Sequence, residues 1–130
     1  MTTLDNALAL VAEAPAAVLT TLNGEGYPES RAMLNLRNLN LFPDQARKIA
    51  ALDDGSVFLF STNTSSSKIG QLKADCRVAL HYCLAERFQG VWLSGDMEIA
   101  DPGWREFLWQ PGWEMYYPKG VCLLYTSDAA

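Results

Sequence analysis

The sequence predicts a mainly β domain, a small six-stranded antiparallel barrel with short flanking helices. Three observations lead there. Compact apolar or alternating runs recur at close spacing, separated by Gly, Pro, Asn and Asp. The stretches with helical periodicity are too few and too short to cross over between parallel strands. At 130 residues, 49% hydrophobic and 19% charged, the chain has ordinary globular usage and the size of one domain with one core.

Thr2 or Thr3 can cap a first helix whose apolar positions Leu4, Ala7, Leu8 and Val11 recur at helical spacing, and Pro15 stops it. This helix is expected to cover one open end of the sheet. Ala17 to Leu22 reads as a strand, Asn23-Gly24-Glu25-Gly26 as the turn, and Tyr27 to Leu36 as the returning strand of a hairpin. Pro43 suits a first helical turn, with Ala46, Ile49, Ala50 and Leu52 forming a short apolar stripe that ends at Asp53-Asp54-Gly55. Val57 to Ser61 is a compact apolar strand, Thr64 to Ser67 a polar turn, and Ser67 to Ala74 a helix with Ile69 and Leu72 inward. Arg77 to Leu84 and Gly90 to Ile99 follow as strands, the second with Gly95 as a bulge or close-approach point. Pro102 to Leu108 reads as helix, Trp109 to Tyr117 as an aromatic loop, and Val121 to Tyr125 as a last strand. No repeat, linker or second domain interrupts residues 1–130, although residues 125–130 read as a tail that packs poorly.

Ten Lys and Arg against fifteen Asp and Glu leave a net charge of −5, which argues against nucleic acid and anionic membrane surfaces as partners. Any anion must then be held by a local pocket. No apolar run approaches the ~18 residues of a membrane helix and no basic segment precedes an apolar one at the start, so a cytoplasmic protein is expected. Cys76, Cys83 and Cys122 have no C-x-x-C spacing, and one histidine supplies no zinc-type cluster. The three thiols read as small core residues. His81 alternates with Leu80 and Tyr82 and reads as structural; Trp92, Trp104 and Trp113 read as core or interface surface.

The polar run from Ser61 through Thr62 to Ser67 and Lys68 follows a buried strand and opens a helix. Hydroxyls, backbone N–H groups and an ammonium can therefore face one anion, although the same run also serves as ordinary capping. On the strand before it, alternation places Arg31, Met33 and Asn35 on one face and Ala32, Leu34 and Leu36 on the other. Arg31 offers the bidentate contact that Lys68, a point charge, cannot make.

Taken in order, Asn23-Gly24, Arg31-x-Met33, Phe58-Leu59-Phe60-Ser61-Thr62, Ser67-Lys68, Gln71-Leu72, Arg77-Val78-x-Leu80 and Leu93-Ser94-Gly95 resemble the pyridoxamine 5'-phosphate oxidase-like FMN-binding split barrels. Leu108-Trp109 and Tyr117-Pro118 resemble the general-stress-protein branch of that family. The resemblance runs from about Ala7 to Leu124, nearly the whole chain. It implies a split barrel that forms a homodimer with FMN in two clefts at the subunit interface. By position it implies Arg31, Met33, Leu34 and Asn35 beside the flavin ring and ribityl chain, Ser61 and Thr62 lining the same cleft, and Ser67 with Lys68 on the phosphate. Gln89 and Trp109 would belong to the partner's side of the cleft. An FMN-dependent oxidoreductase of unidentified small substrate and electron donor is the leading expectation.

Asn35-Leu36-Arg37 stands where the oxidases themselves carry a longer basic pattern, so the vitamin substrate is not implied. Two readings stay open beside the enzyme: a flavin-binding stress or sensor protein without turnover, and a split barrel holding a deazaflavin or haem, the latter needing His81 as its axial ligand.

Overall fold

A computed structural model describes residues 2–52, 57–63, 67–99 and 121–126. The first helix, α1 (Thr3–Glu13), starts at Thr2, whose hydroxyl accepts from Asp5 N while the Asp5 carboxylate accepts from Thr2 N, each at 3.0 Å. That reciprocal pair satisfies two donors the helix leaves unpaired, and it holds the Asp5 carboxyl below its ordinary range. The helix packs against strands β4 and β5, described below, and buries Val11 fully.

Strands β1 (Ala16–Leu22) and β2 (Pro28–Leu34) form the expected hairpin, in register from Ala16 opposite Leu34 to Leu22 opposite Pro28. Asn23 organises its turn: the side-chain oxygen accepts from Glu25 N at 2.9 Å and Tyr27 N at 3.0 Å. Gly26 takes φ +85°, a conformation that costs a side-chain-bearing residue steric strain. The return strand was expected to continue to Leu36 but ends at Leu34. Asn35 leaves the ladder because its amide donates to the carbonyls of Val11 (2.7 Å) and Ala14 (2.9 Å), stitching the hairpin to the end of α1. Strict alternation therefore stops there, and Leu36 is buried instead of facing outward.

Helix α2 (Pro43–Ala50) buries Ala46 and Ile49, β3 (Phe58–Asn63) follows, and α3 (Ser67–Ala74) has the predicted bounds with Leu72 inward. Strand β4 (Arg77–Leu84) also has the predicted bounds; a single 3-10 turn (Ala85–Arg87) joins it to β5 (Gln89–Asp96). The strand expected over Gly90 to Ile99 is two. Met97 interrupts it, with its side chain buried and its N–H bonded to Cys76 O at 2.9 Å, and Glu98–Ile99 forms β6 in another sheet. Strand β7 (Val121–Thr126) completes the described elements, its backbone paired through Thr126, opposite Phe58. Residues 127–130, the helix expected at 102–108 and the aromatic loop with Trp109 lie outside the described residues.

The result is a mainly β antiparallel split barrel, with one sheet ordered β2-β1-β4-β5 and the other β3-β7-β6. Among the described residues there are seven strands where six were expected, because a single chain segment turns the corner from one sheet to the other at Met97. Leu19, Phe58, Phe60, Leu80, Tyr82, Leu93 and Met97 fill the space between the sheets. The Arg37 guanidinium sits 4.6 Å from the centre of the Phe58 ring and donates to Val57 O. Cys76 and Cys83 are exposed free thiols, contrary to the expectation of core positions: Cys83 follows the outward phase of β4, in which Val78, Leu80 and Tyr82 point in, and Cys76 lies in the connection before the strand begins.

Candidate functional site

Where edge strand β2 of the first sheet comes close to edge strand β3 of the second, the barrel is open. A cavity of about 350 Å³ occupies the opening, lined by Pro15, Ala16, Ala32, Met33, Leu34, Ser61, Thr62 and Lys68. Five of the residues picked out from the sequence therefore converge on one space: Met33, Leu34, Ser61, Thr62 and Lys68. Local structure explains the convergence. Met33 is the last inward residue of β2, Leu34 follows on the outward side as the strand ends, and Ser61 and Thr62 are buried near the end of β3. Ser67 opens α3, so that the helix start and Lys68 come back over β3.

Lys68 Nζ donates to Thr62 Oγ1 at 2.7 Å. Burial, and next the nearby Arg31 charge, hold its pKa below the ordinary lysine value. Two cations thus lie within electrostatic reach of one another in a chain whose net charge is −5. Arg31 does not itself line the cavity; it flanks it, on the inward phase of β2 two residues before Met33. Its Nη1 donates to Thr21 Oγ1 (2.6 Å) and Glu29 O (3.1 Å), and its Nη2 donates to Gln71 Oε1 (3.1 Å) with Glu29 Oε1 at 3.7 Å.

The sequence pattern did not single out Thr21, Glu29 or Gln71 as parts of the site. The signals were available. Glu29 lies two residues before Arg31 on the same strand face, and Gln71 is one helical turn beyond Lys68. Thr21 could be placed only once the hairpin register set it opposite Glu29.

Asn35 is not in the cavity. It is fully buried and its amide is spent on the α1 carbonyls, so it anchors the strand end that carries Met33 and Leu34. Gln89 is not brought to this cavity either; it borders a separate space of about 710 Å³ between α1 and the start of β5, with Glu13 and Arg87 paired at 2.6 Å on its wall. His81 is exposed on the outward face of β4, its ring close over Gly90. Among the described residues no group of His, Cys, Asp and Glu could hold a metal ion, and no helix is long and apolar enough to cross a membrane.

The cavity residues suit a phosphorylated flavin. Met33, Leu34 and Ala32 offer apolar wall to a ring system, Ser61 and Thr62 offer hydroxyls to a polyol chain, and the start of α3 with Lys68 offers cationic and N–H donors to a phosphate.

Comparison with known proteins bears on the family and the fold. The sequence pattern described as pyridoxamine 5'-phosphate oxidase matches residues 3–128. A protein from Clostridium acetobutylicum related to general stress protein 26, of the pyridoxinephosphate oxidase family, is 29% identical; the match covers 96% of this chain and 83% of that one, with a TM-score of 0.71. General stress protein 26 from Bacillus anthracis shares the fold at 13% identity (TM-score 0.69, covering 96% and 88%). So does a pyridoxamine 5'-phosphate oxidase-related, FMN-binding protein from Nostoc punctiforme, at 18% identity (TM-score 0.64, covering 95% and 77%). No curated protein matches.

Proposed function

Because the chain belongs to the pyridoxamine 5'-phosphate oxidase family, we propose that it is an FMN-binding flavoprotein, acting as a homodimeric FMN-dependent oxidoreductase on a small substrate. The observation that carries this reading is the meeting of Met33, Leu34, Ser61, Thr62 and Lys68 around one cavity, with Arg31 beside Lys68. The Nostoc relative of the same fold is described as FMN-binding, which supports the choice of flavin.

Lys68 and the N-terminal turn of α3, which begins at Ser67, would hold the phosphate, and Arg31 would supply positive charge from the side. A phosphate with nearly two negative charges relieves the repulsion between the two cations, so the same pair that is unfavourable alone becomes a binding device. Met33 and Leu34 would flank the ring, Ser61 and Thr62 the ribityl chain. Bound flavin supplies electron or hydride transfer, and the residues around it supply position and electrostatics.

The outward face of the first sheet supports a second copy as partner. Antiparallel sheets that face water usually alternate apolar with polar residues. Here the outward positions of β1, β2, β4 and β5 are uncharged except for the Arg77–Asp96 register pair at one corner. Trp92 is 70% exposed, Leu34 41% and Val18 37%, with His81 between Val18 and Trp92 in register. The cavity opens on this same face through Ala16, Ala32 and Leu34. A copy docked there would cover both at once.

Titration of wild type, Lys68→Ala and Arg31→Ala with FMN, followed by the flavin absorption change, tests the assignment. Each variant is expected to bind FMN at least ~10-fold more weakly, the loss expected for a charge-assisted contact. Wild-type affinity in both folded variants would overturn it.

A further inference from the structure

Arg31 could not by itself stand where it does. A long arginine side chain is costly to immobilise, and two cations held near each other repel. Arg31 is held by residues outside the cavity: Thr21 and Glu29 on the hairpin and, from the neighbouring helix, Gln71. Gln71, on α3, accepts with its side-chain carbonyl from Arg31 Nη2 at 3.1 Å and from the Thr21 hydroxyl at 2.5 Å. The same side chain donates its NH₂ to Glu29 Oε1 at 2.8 Å, while Asn23 Nδ2 donates to the other carboxylate oxygen at 3.0 Å. The amide thus has opposite ends fixed by opposite charges: carbonyl to the guanidinium, NH₂ to the carboxylate. These bonds fix its orientation, because the flipped amide would set donor against donor and acceptor against acceptor.

We propose that Gln71 is a positioning residue for the anion site, its amide holding the Arg31 guanidinium beside Lys68 and pinning Glu29 3.7 Å from that guanidinium as a built-in counter-charge. The inference rests on the phosphate-binding reading of Lys68 and Arg31 given above. Affinity for the anion is then tuned from a residue that does not touch it. Gln71 keeps Arg31 aimed, and Glu29 offsets part of the positive charge that the ligand would otherwise meet. The amide donors of Gln71 and Asn23, with the Arg31 charge behind them, keep Glu29 ionised by holding its carboxyl below the ordinary range.

FMN and riboflavin differ by the phosphate, so the ratio of their dissociation constants isolates the anion site. Fluorescence titration of wild type, Gln71→Leu and Glu29→Gln with both ligands reads that ratio. In Gln71→Leu the FMN preference is expected to fall about 10-fold with riboflavin affinity unchanged, the loss expected when a bond to a charged group is removed. In Glu29→Gln, at an exposed position where folding is not at stake, the preference is expected to rise about threefold as a nearby like charge is removed. A wild-type preference in folded Gln71→Leu, or in Glu29→Gln, would overturn the role. Wild type showing no preference for FMN over riboflavin would instead remove the phosphate reading, and the inference with it.

Discussion

Lys68 is held at a disadvantage: partly buried, bonded to the Thr62 hydroxyl and facing the charge of Arg31, it gives up its proton below the ordinary value of 10.5. The sign for ligand binding follows directly. An anion is held while Lys68 is charged, so FMN affinity should be full near neutrality and fall as pH rises through the lowered pKa. The fall should begin at lower pH than the ordinary value would give, and Lys68→Arg, whose guanidinium stays charged, should flatten it. A pH series of FMN dissociation constants for the two proteins checks this; parallel curves would contradict it. At this scale the sequence was legible where side-chain phase decides position. Met33 follows Arg31 by one strand repeat, and Ser61, Thr62 and Lys68 flank a strand-to-helix junction. It was not legible for Asn35, whose hydrogen bonds go to Val11 and Ala14, more than twenty residues earlier in the chain. Local pattern carries no record of a partner that distant.

The β1–β2 hairpin presents β2 to the cavity, and its turn joins the two strands at the end away from the cavity. Gly26 has φ +85° whereas no positive φ marks Gly24, and neither position is crowded. Gly26→Ala is accordingly expected to lower stability by about 1 kcal/mol while Gly24→Ala leaves it nearly unchanged, the difference being backbone strain alone. Urea unfolding of the two variants measures it, and equal effects would contradict the turn as described. Elements with strong local signals were read well from sequence: α3 and β4 have their predicted bounds because a polar start or an alternating run delimits them. The β5–β6 corner was missed because Leu93, Gly95 and Met97 keep strand phase through it. Only the second sheet, through β7, gives Glu98 and Ile99 a new ladder.

At the scale of the molecule, a split between two sheets creates the cavity, and an uncharged sheet face beside it calls for cover. If a second copy provides it, Trp92→Glu places a charge in the middle of the interface and should convert a dimer into a monomer in analytical ultracentrifugation. A monomeric wild type, or a Trp92→Glu protein that stays dimeric, would contradict that arrangement. The barrel itself was legible from spacing and turn residues, since these dictate short antiparallel strands whatever the ligand. The sheet order was not, because it depends on pairings between residues far apart, such as Ala17 with Tyr82 and Leu59 with Tyr125. FMN binding in the cleft between β2 and β3 can be measured by incubating the wild-type protein with FMN, removing free flavin by gel filtration, and recording the visible flavin band that travels with the protein. One FMN per chain is the predicted result; folded protein emerging without flavin would contradict the account.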